Sequence, residues 1–213
     1  MARLQIHSGQ FLVNTTNPNY YTLTKLSKII SLVINPLVVA PFTFGLIIYN
    51  DQTLISKHLI FSVSILFTNI LPLLTILYYR KVGKLSAFDA PLREQRIELL
   101  VIAAIYNAVG FIFLEYLGAS SIVKGLMFCY AINTAVVWRI TRYWKISIHM
   151  VGIGGPIVAI WFSGFQYPIL MGSIVVLVGL ARILLKAHTP AQVVTGTVLA
   201  MGLAYIELKL LFL

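Results

Sequence analysis

The chain has 213 residues and a formal net charge of +10; 59% of its residues are hydrophobic and only 10% charged. Average soluble domains carry about 25% charged residues, and one core of this size cannot hide so much apolar surface, so a soluble globular domain is excluded. The basic residues sit between apolar runs rather than on a polar face, which favours anionic lipid head groups or phosphate substrates and argues against nucleic acid.

Residues 1–25 read as a polar tail, too polar for a secretory signal, with Asn14-Thr15-Thr16-Asn17-Pro18-Asn19 resisting a regular helix. Residues 26–213 read as a single transmembrane helical domain. Seven apolar runs follow the tail, at 26–49, 58–79, 97–117, 120–140, 146–163, 166–185 and 190–213. Each is near the ~20 residues that a span needs. The expected fold class is therefore all-α, a polytopic helical membrane protein with about seven membrane-embedded helices. Pro36, Pro41 and Pro72 should kink the first two. Short links make hairpins of the third and fourth runs and of the fifth and sixth. Gly152, Gly154, Gly155 and Pro156 make the fifth irregular or closely packed. Cys129, the one cysteine, lies inside an apolar run, where a buried thiol is expected; no disulfide and no metal-ligand spacing follow from it.

If the runs alternate in direction, all but three of the 16 Lys and Arg residues fall on one side, leaving Lys57, Lys124 and Lys209 on the other. The positive-inside rule puts the rich side in the cytoplasm, so an integral protein of the bacterial inner membrane is expected, with its site facing inward.

Three segments on the basic side carry more polar residues than topology needs. They are 84–96 (Lys84, Asp89, Arg93, Glu94, Arg96), 142–149 (Arg142, Lys145, Ser147, His149) and 181–192 (Arg182, Lys186, His188, Gln192). A basic residue beside hydrocarbon is costly and points to function. Several cations and two histidines with few carboxylates suit phosphoryl transfer. Cations hold the oxygens over which transition-state charge spreads, and arginine does so with a planar fork of donors. One imidazole can attack phosphorus while a second protonates the leaving oxygen.

The spacing also resembles that of the type-2 phosphatidic acid phosphatases, a family that includes vanadate-dependent haloperoxidases. Arg182, five residues, His188, three residues and Gln192 resembles its third signature, Ser-Arg, five residues, His, three residues, Asp. Lys145-Ile146-Ser147-Ile148-His149 is similar to its second, Pro-Ser-Gly-His. Residues 84–96 occupy the place of its first, Lys with six residues to Arg-Pro. The chain departs at Ala181, where the family has serine, and at Gln192, where it has aspartate. No lysine stands seven before Arg93 or Arg96.

The resemblance implies a helical bundle of that family and a lipid phosphate or prenyl diphosphate substrate, with no cofactor and no metal. It makes His188 the nucleophile that becomes a phosphohistidine and His149 the acid, later the base for water. Arg182 would clamp phosphate, with Arg93 and Arg96 as first-signature cations and Lys84 and Lys145 beside them. Ser147 would support the second signature. Asp89 or Glu94 would supply the carboxylate that Gln192 lacks.

Other readings remain. Thr189-Pro190-Ala191-Gln192 fits a helix-capping box, so Gln192 is a cap, an imidazole partner, or both. A relative without the aspartate could be a lipid-phosphate binder or an assembly subunit. A transporter would need polar groups in mid-membrane, where the runs offer few. His7 and His58 are expected to play no part in the chemistry.

Overall fold

The structure, a computed structural model, describes residues 18–85 and 93–213. It is all-helical, with no strand among the described residues. The helices are α1 (Pro18–Val33), α2 (Pro36–Asn50), α3 (Lys57–Ile65), α4 (Leu71–Lys81), α5 (Arg93–Tyr116), α6 (Ser121–Thr141), α7 (Ile148–Phe162), α8 (Pro168–Leu184) and α9 (Pro190–Glu207). Five-residue π-helical turns, Leu66–Ile70 and Leu208–Phe212, join α3 to α4 and extend α9.

Four continuous helical stretches, Lys57–Lys81, Glu94–Tyr116, Ser121–Thr141 and Pro190–Phe212, are long and apolar enough to cross a membrane, and α1 with α2 would make a fifth as one span bent by 45°. α7 and α8 are apolar but only 15 and 17 residues long. At ~1.5 Å per residue they reach about 22–26 Å, short of a ~30 Å hydrocarbon core. Large apolar side chains such as Leu32, Ile112, Val198 and Leu210 face outward, as lipid contact requires.

Of the three prolines expected to kink the first two spans, Pro36 marks the 45° bend, while helix continues through Pro41 and Pro72. Pro36 starts α2 after Asn35, whose side chain caps Leu37 N–H, and the bend falls there. Pro41 cannot bond the carbonyl of Leu37 four residues earlier. Asn69, on the first π-helical turn, donates Nδ2–H to that carbonyl at 2.7 Å instead. Pro72 follows the same turn, so this span is adjusted by a π-helical segment rather than broken. α1 begins at Pro18, inside the stretch expected to be a non-helical tail: proline suits a first helical position, where no N–H is needed.

α5 packs on α6, α7 on α9 and α2, and α1 on α8. The main core joins α2, α3, α5, α6, α7 and α9 around Phe44, Ile48, Ile60, Leu114, Leu126 and Met127. α7 runs unbroken through Pro156 and is buried from Met150 to Ala159 apart from Val151. Its glycines explain why. A Cβ on Gly152 would lie 2.4 Å from Pro36 Cγ, and one on Gly154 would lie 2.7 Å from Ala200 Cβ. Small residues let the backbones of α2, α7 and α9 approach this closely, so the helix that carries His149 and the helix that follows His188 are locked together.

A candidate anion site at the polar end of an interhelical cavity

α5, α7 and α9 begin at the end of the bundle where α6 and α8 finish. Arg96, in the first turn of α5, is 5% exposed; Arg182, in the last turn of α8, is 6% exposed; His188, just before α9, is 6% exposed. With His149 of α7 they line one cavity of about 240 Å³ that continues inward between α2, α4, α5, α6 and α7.

Local chain geometry ties Arg182 to His188. After α8, Lys186 adopts a left-handed φ of 52°. The N–H of Lys186 bonds the Ile183 carbonyl at 2.8 Å and that of Ala187 bonds the Arg182 carbonyl at 3.1 Å. This is a Schellman C-cap with lysine where glycine is usual. The His188 N–H also reaches the Arg182 carbonyl, at 3.3 Å.

Gln192 plays both of the parts open to it. Its backbone N–H bonds Thr189 Oγ1 at 3.3 Å while its Oε1 accepts from Thr189 N–H at 3.2 Å, completing the capping box. The same Oε1 lies 3.0 Å from His188 Nδ1. An amide oxygen only accepts, so Nδ1 carries the proton and Nε2 keeps its lone pair. Burial pushes the imidazole down to about 4, opposed by the Gln192 bond and reinforced by the positive charges of Arg96, Arg182 and Lys145. Half-buried Lys145 is lowered in turn by burial and by Arg96 and Arg182. Three cations and a neutral imidazole therefore share one patch. Such a patch is stabilised by an anion.

His149 is 8% exposed. Its Nε2 lies 3.3 Å from Ser31 Oγ and 3.2 Å from Ser31 O, and Arg182 Nη1 donates to Ser31 Oγ at 2.6 Å. Ser31, near the end of α1, thus joins the second histidine to the arginine. Nothing in the sequence singles it out, because a serine inside a helix carries no signal of its tertiary partner. Ser147 is fully buried as N-cap of α7, and its Oγ has no hydrogen-bond partner among the described residues.

Of the expected site residues, the structure gathers His188, His149, Arg182, Arg96, Lys145 and Gln192. Lys84 stands apart: it is exposed, 3.7 Å from Glu98 and 4.8 Å from the Tyr79 ring centroid. Tyr79 also donates its hydroxyl to Glu98. Arg93 opens α5, but its side chain, like all of Asp89, lies outside the described residues. Glu94 is exposed; the partner of His188 Nδ1 is Gln192. His58 bonds Tyr49 at 2.8 Å between the end of α2 and the start of α3, away from the cavity. His7 lies outside the described residues.

The interior is more polar than the apolar runs suggest, since Asn69, Asn107, Asn133 and Glu207 are each less than 9% exposed. Comparisons with known proteins give no match to any family model, curated protein or solved structure.

Proposed function

We propose that the protein is an integral membrane lipid phosphatase resembling the type-2 phosphatidic acid phosphatases. It hydrolyses a lipid phosphate monoester or prenyl diphosphate through a phosphohistidine. In this reading α7 and α8 are embedded with the other helices, giving seven membrane segments in a bundle of that family. The basic end faces the cytoplasm of a bacterial cell.

The observation that carries the reading is the state of His188. Gln192 holds Nδ1–H, burial and neighbouring cations keep the ring neutral, and the imidazole lines one cavity with His149, Arg96 and Arg182. Nε2 attacks phosphorus and the bond from phosphorus to the lipid leaving oxygen breaks. Arg96, Arg182 and Lys145 hold the other phosphate oxygens as charge shifts onto them. His149 gives a proton to the leaving oxygen, then takes one from a water molecule. The water oxygen bonds phosphorus, the N–P bond returns its electron pair to His188 Nε2, and inorganic phosphate leaves. The apolar length of the cavity holds the lipid beyond its phosphate.

Phosphate release from phosphatidic acid and from a prenyl diphosphate, by purified protein in detergent micelles, tests this. Activity that His188→Ala abolishes is expected. No release from any lipid phosphate would leave a lipid-phosphate-binding or assembly subunit as the better description.

A further inference from the structure

Below the cationic patch, the same cavity meets three buried polar atoms on α5 and α6. Asn107 and Asn133 are each 4% exposed. Their Oδ1 atoms, and the hydroxyl of Tyr130, have no hydrogen-bond partner among the described residues. All three residues line the cavity.

Their depth follows from helix geometry. Asn133 Nδ2 lies 4.0 Å from where a Cβ on Gly155 would be. Gly155 is six residues beyond His149 on α7, so Asn133 sits about 9 Å further in at ~1.5 Å per residue. Asn107 is eleven residues beyond Arg96 on α5, about 16 Å in. Gly155 itself leaves Asn133 open to the cavity, because a larger side chain there would cover it.

A buried amide oxygen without a donor is costly away from water. Resting on the phosphatase reading, we propose that Asn133, with Asn107 beneath it, forms a recognition subsite for a hydrogen-bond donor on the substrate's own backbone. The two amide oxygens are acceptors, and the Tyr130 hydroxyl can accept or donate, so the group complementary to the amide oxygens is a hydroxyl or amide N–H. Asn133, the nearer at about 9 Å, lies within reach of the polar groups that a hydroxyl-bearing glycerol or sphingoid backbone carries next to its phosphate, and Asn107, at about 16 Å, lies deeper along the chain. A prenyl chain has hydrocarbon there and leaves the amides unsatisfied. The subsite therefore selects phosphates of hydroxyl- or amide-bearing lipids over prenyl phosphates.

The test compares monoacylglycerol phosphate with farnesyl phosphate, both monoesters with one chain, on the full-length protein and on Asn133→Leu and Asn107→Leu. Wild type is expected to favour the hydroxyl lipid by about tenfold or more in kcat/KM, and Asn133→Leu to remove that preference with farnesyl phosphate turnover within about threefold of wild type. Turnover of farnesyl phosphate shows that each variant is folded. An unchanged preference in Asn133→Leu overturns the subsite and leaves the phosphatase reading standing. Thermal protection by the same two lipids reads the subsite without turnover. Greater protection by the hydroxyl lipid, lost in Asn133→Leu, is expected even if neither lipid is cleaved, and equal protection overturns the proposal. Absence of cleavage alone counts against the phosphatase reading.

Discussion

The two ends of the bundle differ in how deeply they bury and crowd positive charge. At the end where α2 meets α3 and α5 meets α6, cations have their own partners. Lys57 donates to the Tyr49 carbonyl at 3.3 Å, and Lys124 pairs with Glu115 at 3.0 Å. These contacts are largely exposed, and such pairs contribute about 0.2–1 kcal/mol. At the other end, Arg96, Lys145 and Arg182 bear on one another and on a buried histidine. The first end pairs its exposed cations one by one; the second crowds its cations around a buried imidazole, an arrangement that suits an anion. A count of charges, though it favours the second end, does not by itself make a site there. Burial and crowding do.

The sharpest way to break this contrast is to mutate one histidine at each end. His188→Ala is expected to cut phosphate release by about a thousandfold or more, as loss of a nucleophile does. His58→Ala, which removes only the bond to Tyr49, should stay within about twofold of wild type, as measured by the same release assay. Next come the cations. Arg182→Ala should cost about a hundredfold in kcat, with vanadate or tungstate protection against heat also lost. Lys124→Ala should leave both readouts near wild type.

A smaller, more diagnostic effect lies in pH. In the proposed reaction His188 must be neutral, and its folded value is about 4 against an ordinary 6.5. The acid limb of kcat/KM should therefore fall near pH 4 rather than near 6.5. Because the folded value is depressed, the associated stability is complete above 6.5 and is lost as pH falls towards 4, with unfolding easier in that window. Gln192→Glu keeps a capping side chain but adds the negative charge that the amide lacks. It should move the acid limb upward by on the order of one to two pH units, and an unmoved limb would show that the 192 side chain does not govern the ring. The smallest effect is expected at Lys186, whose left-handed backbone suits glycine: Lys186→Gly should raise stability by about 1 kcal/mol in denaturant unfolding, with phosphate release unchanged.

Much of this site could be read from residue order because its parts lie at helix ends, where capping and charge leave local marks. Arg182, His188 and Gln192 flank the short α8–α9 connection, and Lys145 and His149 the start of α7, so spacing along the chain reported their proximity. The helices themselves followed from apolar runs, and the first bend from Pro36. Ser31, Asn107 and Asn133 were not legible. Each is a polar residue within a helix, and only the packing of a second helix decides whether it faces lipid or cavity. The start of α1 was obscured by a polar stretch that folds as helix once Pro18 occupies a first-turn position. The shortness of α7 and α8 also escaped, because apolar composition continues beyond the last helical hydrogen bond.

The C-cap after α8 has a consequence for how the chain can vary. Two N–H groups, of Ala187 and His188, converge on the carbonyl of the arginine, so the interval from Arg182 to His188 works as a ruler cut into the backbone. Lengthening or shortening it by a single residue would swing the imidazole away from its guanidinium neighbour even if every side chain were kept. Substitutions in 183–187 should be tolerated far better than any one-residue insertion or deletion there.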